Sequence, residues 1–143
     1  MNKILLLCCA FVVSWGKCVE GNEKGADYPR RDQTGIDYPR VLAAARIGDD
    51  AALSMLFSVT RKVDGLGSEL HCHYLLELLK QYGDFRFSTV LAKEPASSRT
   101  AVIRALNFAF VTFDKRRGWS IDFPYTYKLT PNEKRKVYRE PHI

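Results

Sequence analysis

Long apolar runs are scarce in this chain of 143 residues. The longest, Ile4 to Trp15, holds about 12 residues where a membrane-spanning helix needs ~20, so no membrane span is expected. A glycine-rich phosphate loop is missing, and so is a Ser-His-Asp set at any workable spacing, which leaves no motif for nucleotide binding or serine-based hydrolysis. Histidine is sparse. Two of the three form the stretch His71-Cys72-His73. On a helix, neighbours at i and i+2 point to different sides. Cys72 then faces the core, while His73 joins Glu77 and Lys80 on the polar side. The three cannot converge on one ion, and no third group orients a Cys–His nucleophile pair. No metal, no cofactor and no catalytic residue is therefore expected.

What is present begins with the N-terminus. Lys3 precedes the apolar run, and the small residues Ser14 and Gly16 suit a cleavage site. Residues 1–16 read as a secretory signal peptide, so the expected location is periplasmic. Cleavage there removes Cys8 and Cys9 and leaves Cys18 and Cys72. In an oxidising compartment two thiols favour one disulfide, whose loop of about 55 residues would contribute roughly 4 kcal/mol. The alternative is a buried thiol at Cys72 with Cys18 as a loose end.

Charge is placed unevenly. Lys17 to Asp114 carries 13 basic and 13 acidic side chains, whereas Lys115 to Ile143 carries 8 basic and 3 acidic. A basic chain often meets nucleic acid. For an exported one, an acidic protein or an anionic envelope surface is the expected partner instead, with the solvated tail as the plain alternative.

Residues 17–38 lack apolar periodicity and read as an extended or mobile leader. Residues 39–143 read as one helical domain, with a helical core over 39–114 and a basic tail over 115–143. Asp-Tyr-Pro-Arg occurs twice, at Asp27–Arg30 and Asp37–Arg40. Proline favours the first turn of a helix. Only the second copy is followed by apolar residues to bury, so a helix is predicted at Pro39 and a turn at Pro29.

Five helices follow in the pattern. The first runs from Pro39 to Ile47. The second, capped by Asp49 or Asp50, carries Leu53, Leu56 and Phe57 to about Lys62. The third, capped by Ser68, runs to Tyr82 with a stripe of Cys72, Leu75, Leu76 and Leu79. The fourth, capped by Asp84, carries Phe87, Val90 and Leu91. The fifth, capped by Ser97 or Ser98, carries Val102, Leu106, Ala109 and Phe113, with Ile103 and Phe110 beside them. Arg46–Leu56 echoes Gln81–Leu91 at an offset of 35 residues: glycine ends one helix and aspartate caps the next. A helix-turn-helix unit of about this length repeats in helical solenoids. The predicted class is thus all-α, a small armadillo- or HEAT-like stack of paired helices, with an irregular helical bundle as the alternative.

The tail reads differently. Ile121, Phe123, Tyr125, Tyr127 and Leu129 alternate with polar residues or proline, which predicts an extended ribbon lying on the helices. Thr130–Glu133 is a capping box for a short helix from Pro131 to about Arg139. Two segments suit a partner. In Asp64–Ser68, Leu66 sits between two glycines on a thin connecting loop; an ordinary tight connection is the plain alternative. In Lys115–Lys128, Arg116 and Arg117 sit near Trp119, Tyr125 and Tyr127, and Arg, Trp and Tyr are the usual binding hot spots. The plain alternative is that these aromatics cover the open end of the helical stack.

With this exported, paired-helix pattern, the chain resembles the periplasmic immunity proteins that bacteria hold against type VI secretion amidase effectors, above all those with an armadillo-like fold. The likeness covers Pro39 to Phe113 and rests on architecture and compartment. It implies a tight inhibitor that plugs the Cys–His cleft of a peptidoglycan amidase, and so a cognate amidase effector as partner. The rival expectations are an adaptor solenoid for another envelope protein and an enzyme using His71 or His73; a homodimer also stays open.

Overall fold

The computed structural model describes residues 28–29, 31–115 and 118–130. The expected signal peptide, Cys18, Arg116, Arg117 and the helix expected from Pro131 lie outside them. The described chain is all-α, with no strand among the described residues. Its elements are α1 (Arg31–Thr34), α2 (Tyr38–Arg46), α3 (Asp50–Val59), α4 (Gly65–Tyr82), α5 (Asp84–Ala92), α6 (Ala96–Ala109), α7 (Trp119–Asp122) and α8 (Pro124–Lys128). A π-helical turn, Phe110–Asp114, extends α6.

α2 starts where the second Asp-Tyr-Pro predicts. Pro39 lies in its first turn, and the Asp37 carboxylate accepts from the Arg40 N–H at 3.4 Å. Asp49 caps α3 through bonds from Ala51 and Ala52 N–H, at 2.8 and 3.2 Å. Each such cap satisfies amides that the first helical turn cannot.

α4 is the longest helix and packs against α2, α5 and α6. Contact on several sides explains why His71, Cys72, Leu75, Leu76, Leu78 and Leu79 are all buried, a wider face than one stripe. Leu53, Leu56 and Phe57 of α3, Phe87 and Leu91 of α5, and Val102, Ile103 and Leu106 of α6 complete the core. Phe57 meets Phe87 edge to face at 5.0 Å.

The two echoed segments meet in space. Gly48 and Gly83 both have positive φ, 95° and 75°, which a side chain resists. Arg86 bridges the two turns: its Nη2 donates to Gly48 O at 2.7 Å, it pairs with Asp50 at 2.8 Å, and its guanidinium lies over the Tyr82 ring at 4.7 Å. Gln81 donates to Arg46 O, and the Ser54 hydroxyl donates to Glu94.

Several expectations need correction. The end of the leader is not an extended arm: α1 is a single helical turn, and Tyr28 stacks on Tyr74 at 6.0 Å and meets Tyr38 at 6.2 Å. An aromatic ring with two aromatic neighbours to cover outweighs weak local propensity. α4 begins at Gly65 rather than at Ser68, and Gly67 on its first turn packs bare backbone against Pro29. Glycine is a poor helix former, and tertiary contact overrides it here. Phe113 leaves the α6 stripe and is 41% exposed. The π-turn adds a residue to the last coil and rotates Phe113 off the core face.

A further correction is the tail, which folds as α7 and α8 instead of a ribbon. A four-residue spacing is hidden in the alternation. Trp119, Phe123 and Tyr127 turn inward, while Ile121 and Tyr125 stay exposed. Trp119 stacks on Phe110 at 5.0 Å, and its Nε1 donates to Asn107 Oδ1 at 2.8 Å. Asp84, expected to cap its own helix, caps α8. Its carboxylate accepts from Tyr125 and Thr126 N–H at 2.6 and 2.7 Å. Gly83 stands at the N-cap of α5.

Candidate partner-binding surface

Asp64, Leu66 and Ser68 surround the start of α4. Asp64 is its N-cap residue but makes no capping bond with its side chain; Oδ1 accepts instead from Gln33 Nε2 at 2.9 Å, which ties α1 to α4. Leu66 lies on the first helical turn, not on a free loop, and is 58% exposed. It borders a cavity of about 410 Å³ that Tyr28, Pro29 and Gln33 also line. Ser68 borders a second cavity, of about 610 Å³, together with Cys72.

The expected aromatic contact surface divides. Trp119 is 7% exposed and belongs to the core, so its indole is not free for a partner. Tyr127 packs edge to face on Trp119 at 5.2 Å. These two close the end of the helical body. Tyr125 alone of the three points outward, 52% exposed, with Lys128 Nζ 5.5 Å from its ring.

Two apolar patches were not anticipated. Phe85, 69% exposed, meets Tyr125 edge to face at 5.7 Å. Phe108 meets Phe113 at 6.1 Å, and Val111 is exposed on the same helix end. The signal for both is a large apolar residue off its helix stripe: Phe85 beside the Phe87/Val90/Leu91 set, and Phe108 beside Val102/Leu106/Ala109.

The His71-Cys72-His73 stretch diverges, as helical geometry requires. His71 is fully buried. The Thr60 hydroxyl donates to Leu56 O, so it accepts from His71 Nε2–H at 2.9 Å, and Tyr38 Oη donates to Nδ1 at 2.6 Å. Both ring nitrogens of the neutral imidazole are thus engaged by hydroxyls, and the ring links α2, α4 and the end of α3. Burial lowers the His71 pKa from 6.5 to about 4 and pushes the Tyr38 phenol up. Cys72 is a free, buried thiol whose pKa burial raises, against a smaller downward pull from a hydrogen bond with Ser68. Its expected disulfide partner, Cys18, lies outside the described residues. His73 faces the other way, 3.2 Å from Glu77 and edge to face with Phe113 at 5.1 Å. No group of His, Cys, Asp or Glu among the described residues is arranged to hold a metal ion.

No protein-family model matches the chain, and no curated protein and no solved structure matches it.

Proposed function

We propose that the chain is a helical binding protein that acts through its surface. Within that class it is a periplasmic immunity protein that inhibits a peptidoglycan amidase by occluding the amidase's active-site cleft. The observation that carries the reading is the pair of exposed aromatic contacts, Phe85–Tyr125 and Phe108–Phe113, on a well-packed helical body. Clustered exposed aromatics on a rigid support mark protein contact sites, because they bring large apolar area with little entropy to lose. Leu66 adds a third apolar contact at the start of α4. Export follows from the charge-then-apolar pattern of residues 1–16, and the amidase from the resemblance of paired helices to armadillo-like immunity proteins.

The test is a mixing experiment with a Cys–His amidase, taken from the genes flanking this one if one is encoded there. Co-elution on a sizing column, with loss of peptidoglycan cleavage at equimolar ratio, is the expected result. Undiminished cleavage without co-elution overturns the inhibitor. Co-elution with full cleavage favours an adaptor. F85A/Y125A is expected to weaken the complex by roughly tenfold or more, as for a hot-spot pair. Mass analysis of the exported product is expected to place its first residue at Lys17.

A further inference from the structure

The larger cavity, about 610 Å³, shares only Phe108 with the patches above. We propose that it is a docking pocket for a segment of the partner protein that presents a single carboxylate beside an apolar side chain. The proposal rests on the reading of the chain as a protein-binding scaffold and names what one part of that scaffold recognises.

Three elements build the pocket. Arg61 comes from the α3–α4 connection, Glu69 from the first turns of α4, and Ala101, Arg104, Ala105 and Phe108 from α6. Arg61, Glu69 and Arg104 are exposed, and none makes an ion pair or side-chain hydrogen bond among the described residues. The guanidiniums of Arg46 and Arg86 are engaged by carboxylates; those of Arg31 and Arg40, like Arg61 and Arg104, are not so engaged among the described residues, but neither Arg31 nor Arg40 lines this cavity. Two unengaged guanidiniums in one concave site are donor forks without an acceptor, and a carboxylate matches that geometry.

Glu69 limits the charge. The site holds two cations and one anion, so one carboxylate neutralises it, and a second negative charge meets repulsion from Glu69. The rest of the lining sets the apolar requirement. Ala101 and Ala105 are small, which leaves room beside the Phe108 ring, itself 43% exposed. Phe108 also touches Phe113, so the pocket runs into the exposed patch assigned to partner contact. Its volume suits two or three side chains, within the ordinary range of ligand sites. A peptide segment bearing Asp or Glu next to Phe or Leu fits all three features. A polyphosphate meets the cations but not Glu69 or the apolar shelf.

The test is a chemical-shift titration of the ¹⁵N-labelled full chain with three probes: acetyl-Ala-Phe-Asp-Leu-Ala-amide, the same peptide with Asn for Asp, and pyrophosphate. Shifts are expected at Arg61–Cys72 and Ala101–Phe108, with the Asp peptide binding about tenfold tighter than the Asn peptide. R61Q/R104Q, both at exposed positions, should reduce the Asp peptide to the level of the Asn peptide. E69Q should tighten it by roughly threefold. Equal binding of the two peptides, shifts confined to other residues, tighter binding of pyrophosphate, or no shift up to ~10 mM peptide each overturns the proposal. The two readings fail separately. If the amidase complex forms and R61Q/R104Q leaves it unchanged, the scaffold reading stands and the pocket proposal falls.

Discussion

α4 and the α7–α8 segment both bury large side chains, but they are held by different kinds of neighbour. α4 is an 18-residue helix whose own sequence supplies a repeating set of leucines, and its ends are marked by Gly65 and Gly83. α7 and α8 are four and five residues long, too short to persist alone. Their stability comes from outside: Trp119 on Phe110, its indole N–H on Asn107, and the Asp84 carboxylate on two α8 amides. Local periodicity specifies the first region, and contacts with other elements, up to 42 residues away in sequence, specify the second.

The comparison can be broken or sharpened by substitution. Trp119→Ala should have the largest effect, a loss of about 3–4 kcal/mol in urea unfolding. Hydrogen exchange should show α7 and α8 unprotected with α4 intact; uniform loss across all helices would erase the distinction. Acid should reach α4 through His71. Its folded pKa, about 4, lies below its ordinary 6.5, so the unfolded chain takes the proton first as pH falls. The contribution is complete above pH 6.5 and is lost between 6.5 and 4, up to about 3 kcal/mol. Unfolding curves across that window should show the slope, and His71→Gln should flatten it. Asp84→Ala should remove about 1–2 kcal/mol, the usual worth of a helix cap, and should raise amide exchange at Tyr125 and Thr126 before it does so in α5. Arg86→Ala should be the mildest, about 1 kcal/mol or less, because the Arg86–Asp50 pair is half-exposed; a thermal melt suffices to measure it.

The difference also accounts for what could be read in advance. The start of α2 and the buried sets of α3, α4 and α5 follow from spacing and punctuation, since each helix carries its own stripe. α8 was not legible, because Asp84 looks like the cap of α5 and nothing nearby says that its carboxylate turns to another helix. The alternation from Ile121 to Leu129 misled for a related reason: Trp119, Phe123 and Tyr127 keep every fourth residue inside, and period four is contained within period two. At the candidate surface, the exposure of Leu66 and Tyr125 was legible. Trp119 was not, since its burial depends on Phe110 and Asn107. Phe85 and Phe108 are apolar residues off their helix stripes, and no role was expected of them. The pairing of Arg61 with Arg104 around one cavity needs the α4–α6 packing, which no local pattern encodes.

The reach of Asp84 sets an order of assembly. The ribosome makes the acceptor 41 residues before the first amide it holds, and α8 has no cap until α5 positions that carboxylate. In a refolding reaction followed by pulsed deuterium labelling, the final segment should lock after the central helix, as a latch closes on a finished frame.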